Sequence, residues 1–165
     1  MSSATAAIRI RRAERADLER LVPLFGAYRE FYHQRPDPAR ELAYLGERLE
    51  RRECTIFVAE SEATTVGFTL LYPMFSSVSL RPTWVLNDLY VVPSFRRHGV
   101  GARLLECARE FGRDTGADYL TLETAVDNPA QRLYEANGWR RDVQFLHYEL
   151  SLGGTAPGAP TEGRS

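Results

Sequence analysis

The feature that most constrains this chain is a glycine-bearing loop between two regular patterns. Residues 96–101 read RRHGVG and follow an apolar, β-branched run that ends at Pro93. After the loop, helical spacing recurs in the apolar residues Val100, Leu104, Leu105, Ala108 and Phe111. A strand, a glycine loop and a helix in this order present the unpaired N–H groups of the first helical turn at the loop. The sequence therefore predicts an anion site, with Arg96 and Arg97 as charged donors.

The residues present exclude two other phosphate-binding loops. A P-loop needs a lysine after its second glycine. This chain has 21 arginines and no lysine. A dinucleotide-binding fingerprint needs a third glycine three positions after Gly101, where this chain has Leu104. A purely structural role, in which the glycines only shape the start of a helix, stays open at this point.

The patterns ahead of the loop predict a mixed α/β architecture. Alternation in residues 8–11 indicates a short edge strand. Helical spacing begins at Asp17 and predicts a helix that is kinked or divided at Pro23. A second helix is predicted over residues 38–51, with Asp37 as its N-cap. Apolar alternation then predicts three strands, the first two in an antiparallel hairpin, over residues 55–60, 65–75 and 84–92.

The last third of the chain predicts a strand, a helix and a second strand. Residues 119–124 form the first strand, which should be buried and parallel to its neighbour because a helix separates the two. Asn128 is the predicted cap of the helix, with Pro129 at its first position and Gln131 as the capping-box partner. A closing strand is predicted within residues 139–152.

Composition and charge narrow the classes of function. The formal net charge is −1, which gives no basis for binding nucleic acid or a membrane surface. No apolar run has the length of a membrane span, and residues 1–7 lack a secretory signal, so a cytoplasmic location is expected. The two cysteines lack metal-like spacing and the three histidines are scattered, so no metal site is expected. We expect one domain over residues 1–152 and a disordered tail over residues 153–165.

Two segments resemble motifs of one enzyme family. Residues 88–93, followed by Arg96-x-x-Gly99-x-Gly101, resemble the acetyl-CoA pyrophosphate motif (Q/R-x-x-G-x-G/A) of the GNAT N-acetyltransferase superfamily. Residues 128–139, NPAQRLYEANGW, resemble the later N-x-x-A-x-x-x-Y-x-x-x-G-[F/W] helix of the same superfamily, in the same order and at a similar separation. The resemblance runs from about residue 6 to residue 152.

The resemblance implies a GNAT-like fold, in which helices flank a central, mostly antiparallel sheet with a splayed parallel pair. It implies N-acetyl transfer with acetyl-CoA as cosubstrate and no metal, and a homodimer is a further expectation because GNAT relatives often dimerise. Main-chain N–H groups of Leu89 and Val91, at a strand bulge, are implied to meet the cofactor. The other implied cofactor-binding residues are Tyr90, Arg96, Arg97, His98, Gly99, Val100, Gly101, Ala102, Asn128 and Tyr134. Tyr134 is also the implied acid that protonates the departing CoA sulfur.

A proton acceptor is needed because an alkyl amine with a pKa near 10 is protonated at pH 7. Asp88, in the strand beside the cofactor, is predicted as the general base, as an acceptor-binding carboxylate or as a structural hydrogen-bond partner. Relatives carry a Glu at the position of Asn87. Because asparagine has no carboxylate, this chain lacks a carboxylate base at position 87. Asn87 is expected to orient a water molecule or the acceptor amine, and alternation places it on the opposite strand face from Asp88.

The acceptor pocket is predicted between the first two helices and the strand that ends near Pro73. Its predicted wall residues are Tyr28, Glu30, Tyr32 and Tyr72, whereas Phe31 and Phe75 are expected to fill the core. Three functions fit these residues: acetylation of a primary amine on a small molecule through a ternary complex, acetylation of a protein amino terminus or lysine, and acyl-CoA binding without turnover. The glycine loop and Tyr134 count against the third.

Overall fold

The computed structural model describes residues 7–152, and five strands form one sheet at its centre. The strands are β1 (Arg9–Arg12), β2 (Thr55–Ser61), β3 (Thr64–Ser76), β4 (Arg81–Val91) and β5 (Leu120–Thr121). They lie side by side in chain order, and the first three pairs are antiparallel, whereas β4 and β5 are parallel. The predicted mixed sheet is confirmed, and β1 is an edge strand as expected.

The helices are α1 (Leu18–Phe31), α2 (Pro38–Glu50), α3 (Val100–Asp114) and α4 (Gln131–Ala136). Short 3₁₀ turns precede α1 and follow β4. Asp37 caps α2 as predicted, because its Oδ1 accepts a hydrogen bond from the backbone N–H of Arg40 at 3.1 Å. α1 is not divided at Pro23. The proline ring is exposed, so the missing hydrogen bond falls on the solvent side of the helix.

Two apolar layers cover the opposite faces of the sheet. The layer beneath α1 and α2 contains the fully buried side chains of Leu45 and Phe68. The layer beneath α3 contains those of Leu71 and Leu104. β4 contributes side chains to both layers because successive residues of a strand point to opposite faces. β4 therefore lies between the two layers and packs against both.

An ion-pair network joins β1 to β2 and to the turn before α1. The Arg11 guanidinium donates to both carboxylate oxygens of Asp17, at 2.7 Å each, and to both of Glu60, at 3.0 and 2.6 Å. Asp17 also accepts from Arg20 and from the backbone N–H of Glu14, at 2.8 Å each. The hydrogen bonds from Arg11 hold the pKa values of Asp17 and Glu60 below their usual range.

Two predictions for the last third of the chain are wrong. β5 has two residues instead of the predicted six of 119–124, and Thr121 is exposed instead of buried. Residues 139–152 contain no strand, and their large apolar side chains are exposed, among them Phe145, Tyr148 and Leu150. Alternation indicates which side chains share a face, but a strand also needs a neighbour for its backbone groups. The predicted tail, residues 153–165, lies outside the described residues.

The two phenylalanines expected in the core are also exposed. Phe31 is 57% exposed, because it is the last residue of α1 and lies beyond the helix layer. Phe75 is 81% exposed, since it lies at the end of β3, where side chains from Met74 onward leave the core. Their aromatic character predicted burial, but both residues lie at the ends of their elements, where the side chains are exposed.

Candidate active site

The predicted phosphate loop is an open turn ahead of α3. Gly99 is the N-cap residue, with a φ of 78°, a left-handed conformation that favours glycine. A Cβ added to Gly99 would meet no atom within 4 Å, so the space in front of the loop is open. The backbone N–H of Arg103 bonds to the carbonyl of Gly99 at 3.1 Å, and the amides of the first helical turn have no intrahelical acceptor. Open space beside unpaired amides suits an anion.

The two arginines of this loop have different surroundings. Arg96 donates from Nε to the carbonyl of Val91 at 2.9 Å, and its guanidinium lies 5.6 Å from the centroid of the Tyr90 ring. The Arg96 carbonyl in turn lies 2.8 Å from Nδ1 of His98. Arg97 is exposed and has a positive φ of 61°. Arg96 is also exposed, but it contacts β4 through the carbonyl of Val91 and the ring of Tyr90.

Close packing joins the glycine loop to α4. A Cβ added to Gly101 would lie 2.9 Å from Cδ2 of Leu133, so a larger residue at position 101 would require the Leu133 side chain of α4 to move. Asn128 caps the turn before this helix, with its Oδ1 accepting from the backbone N–H two residues later at 2.9 Å. The predicted capping box does not form, because the Gln131 side chain donates to the carbonyl of Val126 at 2.7 Å. α4 is therefore held at a fixed position beside the loop.

Tyr134 is half-buried on α4 and packs against the layer beneath α3. Its ring centroid lies 6.3 Å from that of Trp139. Burial raises the pKa of the Tyr134 hydroxyl to about 12, and the nearby Tyr32 adds to this effect. The hydroxyl therefore stays protonated throughout the neutral range and can donate a hydrogen bond.

β4 leaves part of its backbone unpaired beyond β5. The pairing with β5 ends at Thr121, whereas β4 continues to Val91. The N–H of Val92 donates to the carbonyl of Val66 on the β3 side at 2.9 Å. Since backbone groups alternate sides along a strand, the N–H groups of Val91 and Leu89 face away from β3, into the gap beyond β5. This orientation agrees with the predicted contribution of both residues through the main chain.

The bulge of β4 lies at Asn87. Asp88 and Leu86 face consecutive residues of β3, which leaves Asn87 as the extra residue. The prediction of a bulge at Leu89 and Val91 is therefore wrong in position, because both residues keep regular register with β3. The bulge exposes Asn87 and buries its neighbour Asp88.

Asp88 is a buried carboxylate with neutral partners. Its side chain accepts a hydrogen bond at Oδ1 from Nδ2 of Asn87 at 2.9 Å. Its backbone carbonyl accepts from the hydroxyl of Thr69, a fully buried residue, at 2.8 Å. Burial raises the pKa of Asp88 to about 6, although hydrogen bonds from Tyr28 and Asn87 oppose this shift. A carboxylate with this pKa can exchange a proton near neutral pH.

Two adjoining cavities meet at Asp88. The larger, of about 450 Å³, lies between α1, α2 and the paired strands β3 and β4. The smaller, of about 370 Å³, lies between α1, β4 and the segment after β5. The two cavities share Tyr28, Arg29, Gln34, Asn87 and Asp88. The buried carboxylate thus borders both cavities.

A family model that is described as the Acetyltransferase (GNAT) family matches residues 18–139. This span includes α1, β4, the glycine loop and α4. The chain belongs to the GNAT acetyltransferase family. It is therefore an acetyl-CoA-dependent N-acetyltransferase.

Relatives of this GNAT enzyme cover nearly its whole described length. An uncharacterized N-acetyltransferase of Bacillus subtilis, YhfO, is 46% identical over 144 residues, which are 87% of this chain and 97% of that protein. The crystal structure of a probable acetyltransferase has a TM-score of 0.85 at 40% identity and covers 89% of this chain and 99% of its own. An aminoglycoside N-acetyltransferase in complex with CoA shares the fold, with a TM-score of 0.75 at 21% identity over 91% of this chain and 99% of its own.

Three of the four residues predicted to line the acceptor pocket line at least one of the two cavities, and one does not. Tyr28 and Tyr72 line the larger cavity, and Tyr32 lines the smaller one. Glu30 is exposed and lines neither of these two cavities. Its side chain points outward because α1 turns a different face toward the sheet at Tyr28. The predicted acid of the acceptor pocket is therefore not at position 30.

Several residues that line the larger cavity were not predicted from the sequence, among them Arg29, Glu41 and Tyr44. Glu41 is only 3% exposed and forms an ion pair with Arg29. The Tyr44 hydroxyl bonds to that of Tyr72. A usable signal was the spacing of Glu41, four residues before the fully buried Leu45 and so on the same face of α2.

Within residues 7–152 of the GNAT enzyme, no group of three or more His, Cys, Asp or Glu side chains is arranged to hold a metal ion. In the same range, no helix is long and apolar enough to cross a membrane. Cys54 is buried, and this burial raises the pKa of its thiol to about 11, so the thiol is protonated at neutral pH.

Proposed function

We propose that this enzyme transfers an acetyl group from acetyl-CoA to the primary amine of a small molecule, with both substrates bound at once. The observation that carries the proposal is the larger cavity, in which a buried carboxylate meets aromatic hydroxyl groups. Its volume of about 450 Å³ is in the range of small-molecule sites. A protein acceptor would instead need an extended surface groove beside the carboxylate.

The acetyl-CoA side of the site is supported by the fit of the loop to a pyrophosphate. Gly99 leaves open space where a side chain would block the approach of a phosphate oxygen to the backbone. The amides of residues 99–102 and the side chains of Arg96, Arg97 and His98 would hold the pyrophosphate. The N–H groups of Leu89 and Val91 would meet the pantetheine arm and the thioester carbonyl, with Tyr90 and Asn128 beside them.

Asp88 would take the proton of the acceptor amine. The amine nitrogen forms a bond to the thioester carbonyl carbon and loses its proton to the carboxylate, and the carbon–sulfur bond breaks. The raised pKa of Asp88, about 6, supports this role, because a base works best when its pKa is near the working pH. The hydrogen bond from Asn87 fixes one oxygen and leaves the other for the amine.

Tyr134 would protonate the thiolate as it departs. The hydroxyl is held on α4 beside the glycine loop and stays protonated at neutral pH, since burial raises its pKa to about 12. Aromatic groups around Asp88, namely Tyr28, Tyr44 and Tyr72, would pack against the carbon skeleton of the acceptor or a cationic group on it.

Release of free CoA from acetyl-CoA tests the proposal directly. The acceptor panel should contain diamines, amino acids, aminoglycosides, and peptides with a free amino terminus or an internal lysine. We expect at least one small amine to exceed every peptide in kcat/KM by about tenfold or more. Tyr134→Phe, assayed beside the wild type, separates enzymatic release from spontaneous hydrolysis because it should turn over more slowly while binding acetyl-CoA equally well in calorimetry. A panel in which peptides are the best substrates would refute the small-molecule assignment.

A further inference from the structure

Tyr28 of α1 is the residue that connects this helix to the bulge of β4. Its hydroxyl donates to the backbone carbonyl of Asn87 at 3.2 Å. The ring is wedged between two aromatic neighbours, with its centroid 5.1 Å from that of Tyr32 and 6.2 Å from that of Phe68. Because these edge contacts fix the ring, the hydroxyl has little freedom to leave the bulge.

Asn87, at the bulge, forms one hydrogen bond with Tyr28 and one with Asp88. The Asn87 carbonyl accepts from Tyr28, and the Asn87 amide group donates to Oδ1 of Asp88. Interaction with Asp88 is also among the causes that raise the pKa of the Tyr28 phenol. Two hydrogen bonds therefore connect Tyr28 of α1, through Asn87 at the bulge, to the buried carboxylate of Asp88.

We propose that Tyr28 is a positioning residue for Asp88, which fixes the carboxylate at the cavity junction and stabilises its ionised form. This inference rests on the proposed role of Asp88 as the proton acceptor. A hydrogen bond to the charged form of a carboxylate favours ionisation, and burial opposes it. Without the Tyr28 hydroxyl, the backbone of Asn87 would lose the bond that fixes the bulge, and the Asn87 amide would be held less firmly on Oδ1 of Asp88. The carboxylate would then be protonated over more of the neutral range.

Other ionisable groups face the same carboxylate and must be considered in any pH dependence. The charged ones are Arg29 of α1, Arg40 and Glu41 of α2, and Glu123 after β5. The neutral ones are Tyr32, Tyr44, Tyr72 and Cys54. Arg29 is bound to Glu41 and to the carbonyl of Arg35. A substitution that removes a hydroxyl without changing these charges therefore isolates the contribution of Tyr28.

Tyr28→Phe is the decisive variant because it keeps the ring contacts and removes the hydroxyl. The titration of the Asp88 carboxyl carbon is followed by NMR in protein with ¹³C-labelled aspartate, and Asp88→Asn assigns the signal. We expect the midpoint in Tyr28→Phe to rise by about one pH unit relative to the wild type. The low-pH limb of kcat/KM should move upward by the same amount, so that activity near pH 6 falls several-fold more than activity near pH 8.5.

Tyr44→Phe is the matched control, since it removes a hydroxyl from the same cavity that bonds to Tyr72. Its Asp88 midpoint should stay at the wild-type value. Thermal unfolding checks that each variant is folded. An unchanged midpoint in folded Tyr28→Phe, or an equal shift in Tyr44→Phe, overturns the inference. If kcat/KM of the wild type did not fall at low pH with the ionisation of Asp88, the proposed role of Asp88 as the base would be refuted. The NMR midpoints of the wild type and Tyr28→Phe would still decide the role of Tyr28.

Discussion

Asp17 and Asp88 are equally buried, each 3% exposed, but their surroundings shift their pKa values in opposite directions. Asp17 accepts hydrogen bonds from the guanidinium groups of Arg11 and Arg20, and the bonds from Arg11 hold its pKa well below the usual range. Asp88 has the neutral donor groups of Asn87 and Tyr28, and burial raises its pKa to about 6. The two carboxylates share a residue type and a degree of burial, and they differ in the charge of their partners.

The difference separates a carboxylate that stabilises the fold from one that is available for chemistry. A buried carboxylate paired with arginine stays ionised at every physiological pH, so it cannot exchange protons there. A buried carboxylate without a cationic partner is less stable when ionised, and this cost brings its pKa into the range where a base is useful. Burial alone therefore does not distinguish the two roles.

The largest expected effect is the loss of activity in Asp88→Asn. This variant removes the proposed proton acceptor while keeping the shape of the side chain, and we expect kcat/KM to fall by about 10³-fold with the best amine of the panel. Calorimetric affinity for acetyl-CoA should be unchanged, because the glycine loop is intact. A decrease of less than about tenfold would show that a water chain or another group accepts the proton.

Asp17→Asn is expected to have the complementary effect on stability. The substitution leaves the Arg11 guanidinium with Glu60 as its one remaining carboxylate partner, and it should lower the free energy of unfolding by about 3 kcal/mol at pH 7. Urea denaturation measures this change. The specific activity of the folded enzyme should match the wild type, since none of Arg11, Asp17 and Glu60 lines either cavity. Loss of activity at full stability would contradict this division of roles.

The two Asn variants should respond to pH with opposite signs. Asp88 has a folded pKa of about 6, above the unfolded value near 3.9, so the stability that its protonated form gives the wild type is lost as the pH rises from about 4 through about 6. Relative to the wild type, Asp88→Asn should therefore gain about 2 kcal/mol between pH 4 and pH 7. Asp17 has a folded pKa below its unfolded value, so its stabilisation is complete above about pH 4 and is lost as the pH falls. The difference in the free energy of unfolding between each variant and the wild type is measured at pH 3, 4, 5.5 and 7. A difference that changes with pH in the same direction for both variants would refute the comparison.

Sequence patterns predicted the elements that carry these carboxylates more accurately than the contacts around them. The alternation that predicted strands at residues 55–60, 65–75 and 84–92 agrees closely with β2, β3 and β4, because it reports local burial on two faces of a sheet. Alternation failed for residues 139–152, where no neighbouring strand pairs with the backbone. Pairing is a non-local property, and the spacing of residues along one segment does not contain it.

The same limit explains what was missed at the candidate site. Asp88 was a candidate because of its place beside the glycine loop, but its partner Tyr28 comes from a helix 60 positions earlier in the chain. The bulge at Asn87 depends on register with β3, and no local pattern distinguishes that position from Leu89 or Val91. Arg11 had the appearance of a solvent-facing residue of an edge strand, and only the fold brings Asp17 and Glu60 to it.

The smallest expected effect concerns the second arginine beside Asp17. The Arg20 side chain is 48% exposed, and its guanidinium lies 2.8 Å from the same carboxylate oxygen that Arg11 contacts. Water and salt screen such a pair, so Arg20→Met should lower the free energy of unfolding by only about 0.5 kcal/mol at low ionic strength. In 1 M NaCl this difference should nearly vanish, whereas the larger difference between Asp17→Asn and the wild type should persist, because the Arg11 pair is less exposed. Arg20→Met could instead lower the free energy of unfolding as much as Asp17→Asn does. The exposed Arg20 would then be the residue that keeps Asp17 ionised, and the contrast with Asp88 would depend on the surface ion pair instead of the buried one.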